Sequence, residues 1–284
     1  GSGQMCIRDR ITTLLTEKRS YLPPEHGKSS AWICGQDEAD AICRRALEDP
    51  NDFWGARASQ LIHWFKRWDK VLEADEARHK YRWFTGAKLN AAFNCIDRHL
   101  ISGRRNKAAL IWQGEKEMDV RCFTYQMLYT EVCRVAHALS SLHINKGDRV
   151  ALYMPMIPEL VIAMLACARI GAIHTAIFSG YAEGGVRSRI QGSKAKVVIT
   201  ADAAIRAGKI KPLKANLDPI LEKCPSVAHV VVVNHADLYD VKMTPNRDIW
   251  WHDLIEDFTL DVDFPCEPCL LYTSDAADDT PCVD

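Results

Sequence analysis

Between Gly147 and Lys209 the chain alternates between two periodicities. Three short runs rich in β-branched and apolar residues, Arg149–Met154, Ile173–Phe178 and Lys196–Thr200, are separated by two stretches with helical spacing. That alternation predicts a parallel sheet with crossover helices. Pro158 sits at a helix start, where its missing N–H costs little. Gly171 follows that helix, where a left-handed cap is cheap. A fourth run, His229–Val233, predicts another strand, with Leu213–Lys223 helical before it and Trp250–Asp257 a short closing helix after it. Upstream, Ala108–Trp112 reads as a strand and Arg121–Phe123 as a short partner. Thr124 is the expected N-cap of a helix reaching Leu142, with Leu128, Val132, Val135, Ala136, Leu139 and Leu142 on one face. The expected class is α/β, preceded by a mostly helical N-terminal extension. In that extension Asp37–Leu47 and Leu89–Leu100 have helical patterns. Ala58, Leu61, Ile62, Phe65 and Trp68 give Phe53–Val71 near-helical spacing, so it is expected to lay one helical face on the main domain.

Composition narrows the function classes. The 284 residues are 48% hydrophobic and 26% charged, ordinary values for a globular chain with a sizeable core. A net charge of −1 leaves no global basic footprint, so neither nucleic acid nor a membrane is an expected partner. The longest apolar stretch, Met154–Ala168, is interrupted by Pro155, Pro158 and Glu159 and is too short to span a bilayer. Of the 11 cysteines, Cys43, Cys95, Cys133 and Cys167 fall in helical apolar patterns. Free thiols pack there like small hydrophobes, and a reduced, cytoplasmic protein is expected. Cys266 and Cys269 have metal-ligand spacing, but no second pair follows, so no metal site is expected.

Two segments carry candidate chemistry. Ile177-Phe178-Ser179-Gly180 ends a strand and begins a turn, the place where α/β folds receive ligands. Gly180 lets a ligand approach the backbone closely. Ile205-Arg206-Ala207-Gly208-Lys209 follows the next strand through Asp202. A guanidinium and an ammonium with two small residues between them suit a phosphate, although composition alone favours a solvated basic loop. The run from Gly180 to Gly185 lacks the spacing of a dinucleotide loop. His174 is expected to be a satisfied core histidine, and Trp250 and Trp251 packing residues. Glu115, Glu117 and Asp119 are expected to be a solvated, turn-like charged run.

The segments YMPMIPELVIAMLACARIGAIHTAIFSG, ITADAAIRAGK and RDIWWHDLIED, with DPNDFWGARASQLIHWFKRWDKV and LNAAFNCIDRHL upstream, resemble the AMP-forming acetyl-CoA synthetases (acetate–CoA ligases). These are adenylate-forming enzymes of the acyl-CoA synthetase superfamily, and the likeness runs from Tyr21 to Pro268. It implies the first part of a large adenylation domain. It also implies a two-step reaction: acetate attacks the α-phosphate of ATP to give acetyl-adenylate and pyrophosphate, and the thiol of coenzyme A then displaces AMP. ATP and coenzyme A are the implied co-substrates, with Mg²⁺. Phe178, Ser179 and Gly180 match a Phe-Gly-Gly that touches coenzyme A near its nucleotide end, and Ser179 departs from the first glycine. Arg206, Ala207, Gly208 and Lys209 match the family's coenzyme A-binding Arg-x-Gly-Arg or Arg-x-Gly-Lys. The family's phosphate loop, acyl pocket, ribose-binding acid and catalytic lysine all correspond to positions beyond Pro268. No catalytic, ATP-binding or metal residue is therefore expected in the chain as given, which is expected to be inactive. A ligase for propionate or another short acid, or a non-catalytic truncated protein, are the alternatives.

The ends carry a different signal. Gln4–Arg10 and Cys269–Asp279 can be encoded by the two arms of one inverted repeat, that of a transposase adapter from short-read library preparation. The expected organisation is thus a non-native head (1–10), a helical extension (11–100), a truncated AMP-binding domain (101–268) and a non-native tail (269–284). Leu270–Ser274 resembles the opening of the family's phosphate loop. It continues into Asp275, Asp278 and Asp279, without the glycines or lysine that hold phosphate, so it is not expected to act as one.

Overall fold

The structure, a computed structural model, describes Pro24, Gly27, residues 30–258 and residues 263–269. The two terminal segments expected to be non-native lie outside the described residues, Cys269 excepted. The chain divides into two compact units between Trp54 and Gly55. In the first, α1 (Gln36–Glu48) has Asp37 and Glu38 in its first turn and Arg45 in its last, the charge order a helix dipole favours. Next comes α2 (Pro50–Leu61), which begins on a proline.

The end of α2 at Leu61 falls short of the helix expected to reach Val71. Arg98 Nη1 donates to the Leu61 carbonyl at 2.6 Å. Asn94 accepts from the His63 N–H at 2.8 Å and donates to the His63 carbonyl at 2.9 Å. With these backbone groups bonded to distant partners, the helical ladder stops. Phe65 and Trp68 lie instead ahead of an antiparallel hairpin, β1 (Lys70–Asp75) and β2 (Lys80–Thr85). The ring of Trp64 lies 5.1 Å from that of Trp68 and 5.2 Å from that of Phe84. The near-helical spacing is thus helical only as far as Leu61, and Trp68 beyond it joins this aromatic cluster. A π-helical turn at Phe93–Asp97 and α3 (Arg98–Ile101) occupy the later helical pattern.

A second hairpin, β3 (Ala108–Gln113) and β4 (Val120–Thr124), leads into α4 (Tyr125–Ser141). The Thr124 hydroxyl accepts from the Met127 N–H at 3.2 Å, and Leu128, Val132, Val135, Ala136 and Leu139 are buried. Leu142 is the C-cap, one residue past the helix. The remaining elements are β5 (Arg149–Met154), α5 (Pro158–Ile170), β6 (Ile173–Phe178), α6 (Glu183–Ser193), β7 (Val197–Ala201), β8 (Ala204–Arg206), β9 (Lys209–Lys211), α7 (Leu213–Leu221), β10 (His229–Val233), β11 (Asp248–Trp250) and α8 (Trp251–Glu256). Five of these strands form a parallel sheet in the order β11-β10-β7-β5-β6. The residues of β7 are buried throughout, as are nearly all of β5 and β10, which is why those runs are continuously apolar. Pro158 stands in the first turn of α5 and Gly171 closes it at φ +76°.

Buried ionic groups tie distant segments together. Arg169, 2% exposed, makes a two-pronged bond to Asp97 at 2.8 and 2.9 Å and donates from Nε to the Phe264 carbonyl at 2.6 Å. Lys214 lies 2.7 Å from Asp218 and 2.8 Å from Asp248, whose side chain is fully buried, and Arg247 bridges the same two carboxylates. Cys133 and Cys167 are buried as expected, whereas Cys43 and Cys95 are exposed on their helices. Among the described residues no helix is long and apolar enough to cross a membrane.

Candidate functional site

Register decides which loops meet. β5 and β6 pair from Arg149 with Ile173 to Met154 with Phe178, and β5 and β7 pair up to Tyr153 with Thr200. The C-terminal ends of β6 and β7 therefore flank β5 on one edge of the sheet. There the strand order reverses, the position at which open α/β sheets form a crevice. Phe178-Ser179-Gly180 leaves this edge from β6, and Asp202 leaves it from β7.

Asp202 is the organiser that the residue pattern did not single out. It is 1% exposed, and its carboxylate accepts from the N–H groups of Ala203 at 2.6 Å, His235 at 2.9 Å, Ala236 at 3.0 and 3.1 Å, and Leu238 at 3.2 Å. Its carbonyl accepts from Leu213 and Lys214, which close the other side of the β8–β9 segment. Asp202→Asn keeps the shape but removes the charge and puts an NH₂ against a backbone donor. We expect a loss of about 1–3 kcal/mol, the scale of charged or unsatisfied buried hydrogen bonds. A urea midpoint unchanged from wild type would contradict this organising role.

The basic segment is not a loop but a hairpin. Arg206 pairs across it with Lys209, and the two-residue turn Ala207-Gly208 has φ of +50° and +68°. Positive φ at both positions is the type I′ requirement, and it puts a non-glycine residue, Ala207, in the left-handed region at a cost of about 1–2 kcal/mol. Cross-strand partners share a face, so the Arg206 and Lys209 side chains stand together, with Lys211 two residues along on the same side. Both Arg206 and Lys209 are exposed, and neither has an ion-pair partner among the described residues.

Lys211 joins the two candidate segments. Its Nζ donates to the Ser179 carbonyl at 2.6 Å, and the Tyr153 hydroxyl approaches the same oxygen at 3.4 Å. The turn after β6 is thereby held beside the basic hairpin. Phe178, 58% exposed, meets Tyr181 edge-on at 5.9 Å, and Arg189 lies 4.1 Å above the Tyr181 ring. Lys211 could have been suspected from the sequence, since alternation from Lys209 places it on the same hairpin face.

Glu115 corrects another expectation. It is not merely solvated: its carboxylate accepts from the N–H groups of both Ala207 and Gly208, the latter at 2.9 Å. The β3–β4 turn that carries it is tightly built. Gln113 Nε2 donates to the Lys116 carbonyl at 2.8 Å, and the Gly114 N–H donates to Asp119 at 2.7 Å. The hairpin itself is anchored to α5 by a two-pronged Arg121–Glu159 bond at 2.7 and 2.8 Å, and to the β5–α5 loop by Trp112 Nε1 donating to the Met156 carbonyl at 2.7 Å.

His174 is buried as expected but not satisfied, since its Nδ1 meets no partner among the described residues. Burial pushes its pKa below the ordinary histidine value, so it stays neutral. Trp251 is buried and Trp250 half-buried, in keeping with packing. Among the described residues no cluster of three or more His, Cys, Asp or Glu side chains could hold a metal.

Comparison with known proteins follows the same layout. A family model described as AMP-binding enzyme matches residues 97–274, and one described as acetyl-coenzyme A synthetase N-terminus matches residues 39–95. An acetyl-coenzyme A synthetase of Gemmatimonas aurantiaca is 47% identical over 249 residues, covering 86% of this chain and 37% of the relative. Those of Alkalilimnicola ehrlichii and Chlorobaculum tepidum are 40% and 42% identical over 267 and 275 residues. They cover 92% and 94% of this chain but only 41% and 40% of their own lengths. The chain thus spans about two fifths of the curated relatives it matches.

Proposed function

Because the chain belongs to the AMP-binding enzymes and carries an acetyl-coenzyme A synthetase N-terminus ahead of that domain, we propose that it is the N-terminal part of an acetate–CoA ligase. Its β8–β9 hairpin and the Phe178–Gly180 turn form part of the coenzyme A surface. The observation that carries this reading is the Lys211–Ser179 bond, which holds two cations without ion-pair partners next to an exposed aromatic turn. Coenzyme A presents a 3′-phosphate, a pyrophosphate and an adenine. Arg206 and Lys209 face each other as like charges, an unfavourable cross-strand pair that a bound phosphate would relieve. Arg206 offers a planar fork and Lys209 a point charge, while Phe178 and Tyr181 offer ring surface beside them.

In this reading the chain's own residues serve the second half-reaction, by holding coenzyme A while its thiol displaces AMP from acetyl-adenylate. ATP and acetate are handled by parts of the protein downstream of Pro268, and with them the choice between acetate and a longer acid. The family matches, to residues 39–95 and 97–274, suit an N-terminal extension followed by the start of an adenylation domain. The free cysteines support a reducing, cytoplasmic setting.

None of the groups assigned to this surface stabilises charge on ATP phosphates, so the 284-residue chain is expected to be inactive in adenylation. Acetate-dependent ATP–pyrophosphate exchange should stay at background with the purified chain and appear with the full-length protein. Exchange by the chain itself would sink the assignment of adenylation to downstream residues.

A further inference from the structure

We infer that Glu115 is a positioning residue for coenzyme A: it clamps the Ala207–Gly208 turn and so aims Arg206 and Lys209 together at the phosphate. The inference rests on the reading of this hairpin as a coenzyme A site. Ala207 is held at a positive φ that alanine disfavours, and no side chain of the turn itself secures it. The carboxylate of Glu115 bonds both turn amides from a hairpin 92 residues away in sequence. That second hairpin is tied to α5 and to the β5–α5 loop through Arg121 and Trp112, so the clamp is held at its far end. Left unclamped, Ala207 relaxes toward negative φ. The I′ geometry is then lost, and with it the register that sets Arg206 opposite Lys209. Glu115 touches no substrate in this scheme. It acts through the turn.

The experiment uses the full-length protein and titrates coenzyme A calorimetrically, alongside hydrogen exchange of the Ala207 and Gly208 amides. Glu115→Gln should speed exchange at both amides and weaken coenzyme A about three- to tenfold, the scale of one lost hydrogen bond. Ala207→Asn in the same background creates Asn-Gly, the preferred I′ pair, and should restore most of the affinity without restoring the carboxylate. A general loss of folding would not be rescued in that way. Unchanged amide exchange in Glu115→Gln overturns the clamp. Faster exchange with unaltered affinity overturns its coupling to binding. Tighter coenzyme A binding overturns it too, since Glu115 would then be competing with phosphate for the turn amides. If wild-type protein binds no coenzyme A, the underlying site reading fails and the inference falls with it, a result distinct from any seen only in the variants.

Discussion

Arg206→Ala in the full-length protein should raise the Michaelis constant for coenzyme A about tenfold to hundredfold. That range corresponds to roughly 1.5–3 kcal/mol for a lost charge-assisted contact. The guanidinium stands on an exposed hairpin face with no carboxylate paired to it, so its removal leaves no buried charge behind and should not disturb the sheet. Lys209→Ala should act in the same direction more weakly, because an ammonium gives a single point of attraction where Arg206 gives a fork. The first half-reaction, followed by acetate-dependent pyrophosphate exchange, should remain close to wild type in both variants. Loss of exchange with coenzyme A dependence intact would move the hairpin to the adenylation step and overturn its assignment.

Lys214→Met should have the largest effect on stability, about 3–5 kcal/mol, the usual consequence of leaving a buried ion unpaired. Lys214 is 1% exposed and holds Asp218 and Asp248 on α7 and β11, with Arg247 on the other side of both carboxylates. The cluster balances two cations against two anions, and the substitution leaves an excess negative charge around the fully buried Asp248 side chain. Adding Asp218→Asn should recover part of the loss by restoring the balance. A midpoint in urea within error of wild type for Lys214→Met alone would sink the argument.

The same cluster sets a pH dependence. Burial pushes the Asp248 carboxyl up, but hydrogen bonds from Arg247, Lys214 and the Thr244 N–H outweigh it and hold the pKa below the ordinary carboxylate value. A depressed folded pKa means the unfolded chain binds the proton more readily. The contribution of Asp248 to stability is therefore fully present above the unfolded value near 4 and is lost as pH falls through the lower folded value. Lys214→Met should flatten this acid limb.

Much of the fold is determined by local sequence. β5, β6 and β10 occupy the residues their β-branched runs mark, Thr124 caps α4, and Gly171 closes α5 at positive φ. In each case the burial period or the conformational demand lies within one element, so the residues that report it are neighbours in the chain. The two proposed coenzyme A segments stood out for a different reason: they follow strands, and their residue order resembles that of a family.

Tertiary structure decided what depends on partners far apart in sequence. Phe65 and Trp68 have near-helical spacing, yet Asn94 and Arg98 take the backbone groups that would have continued α2, and the Trp68 ring packs on Phe84 of the β1–β2 hairpin while the Phe65 ring packs on Phe93. Glu115 reads as one more surface charge until folding brings two turn amides to it from 92 residues away. Asp202 and Lys211 acquire their roles in the same way, from the amides of 235–238 and from the Ser179 carbonyl. Periodicity records which face of an element is buried. Which donor a carboxylate meets is settled only when separate elements dock, because a hydrogen bond needs a partner at about 3 Å and the chain order does not specify one.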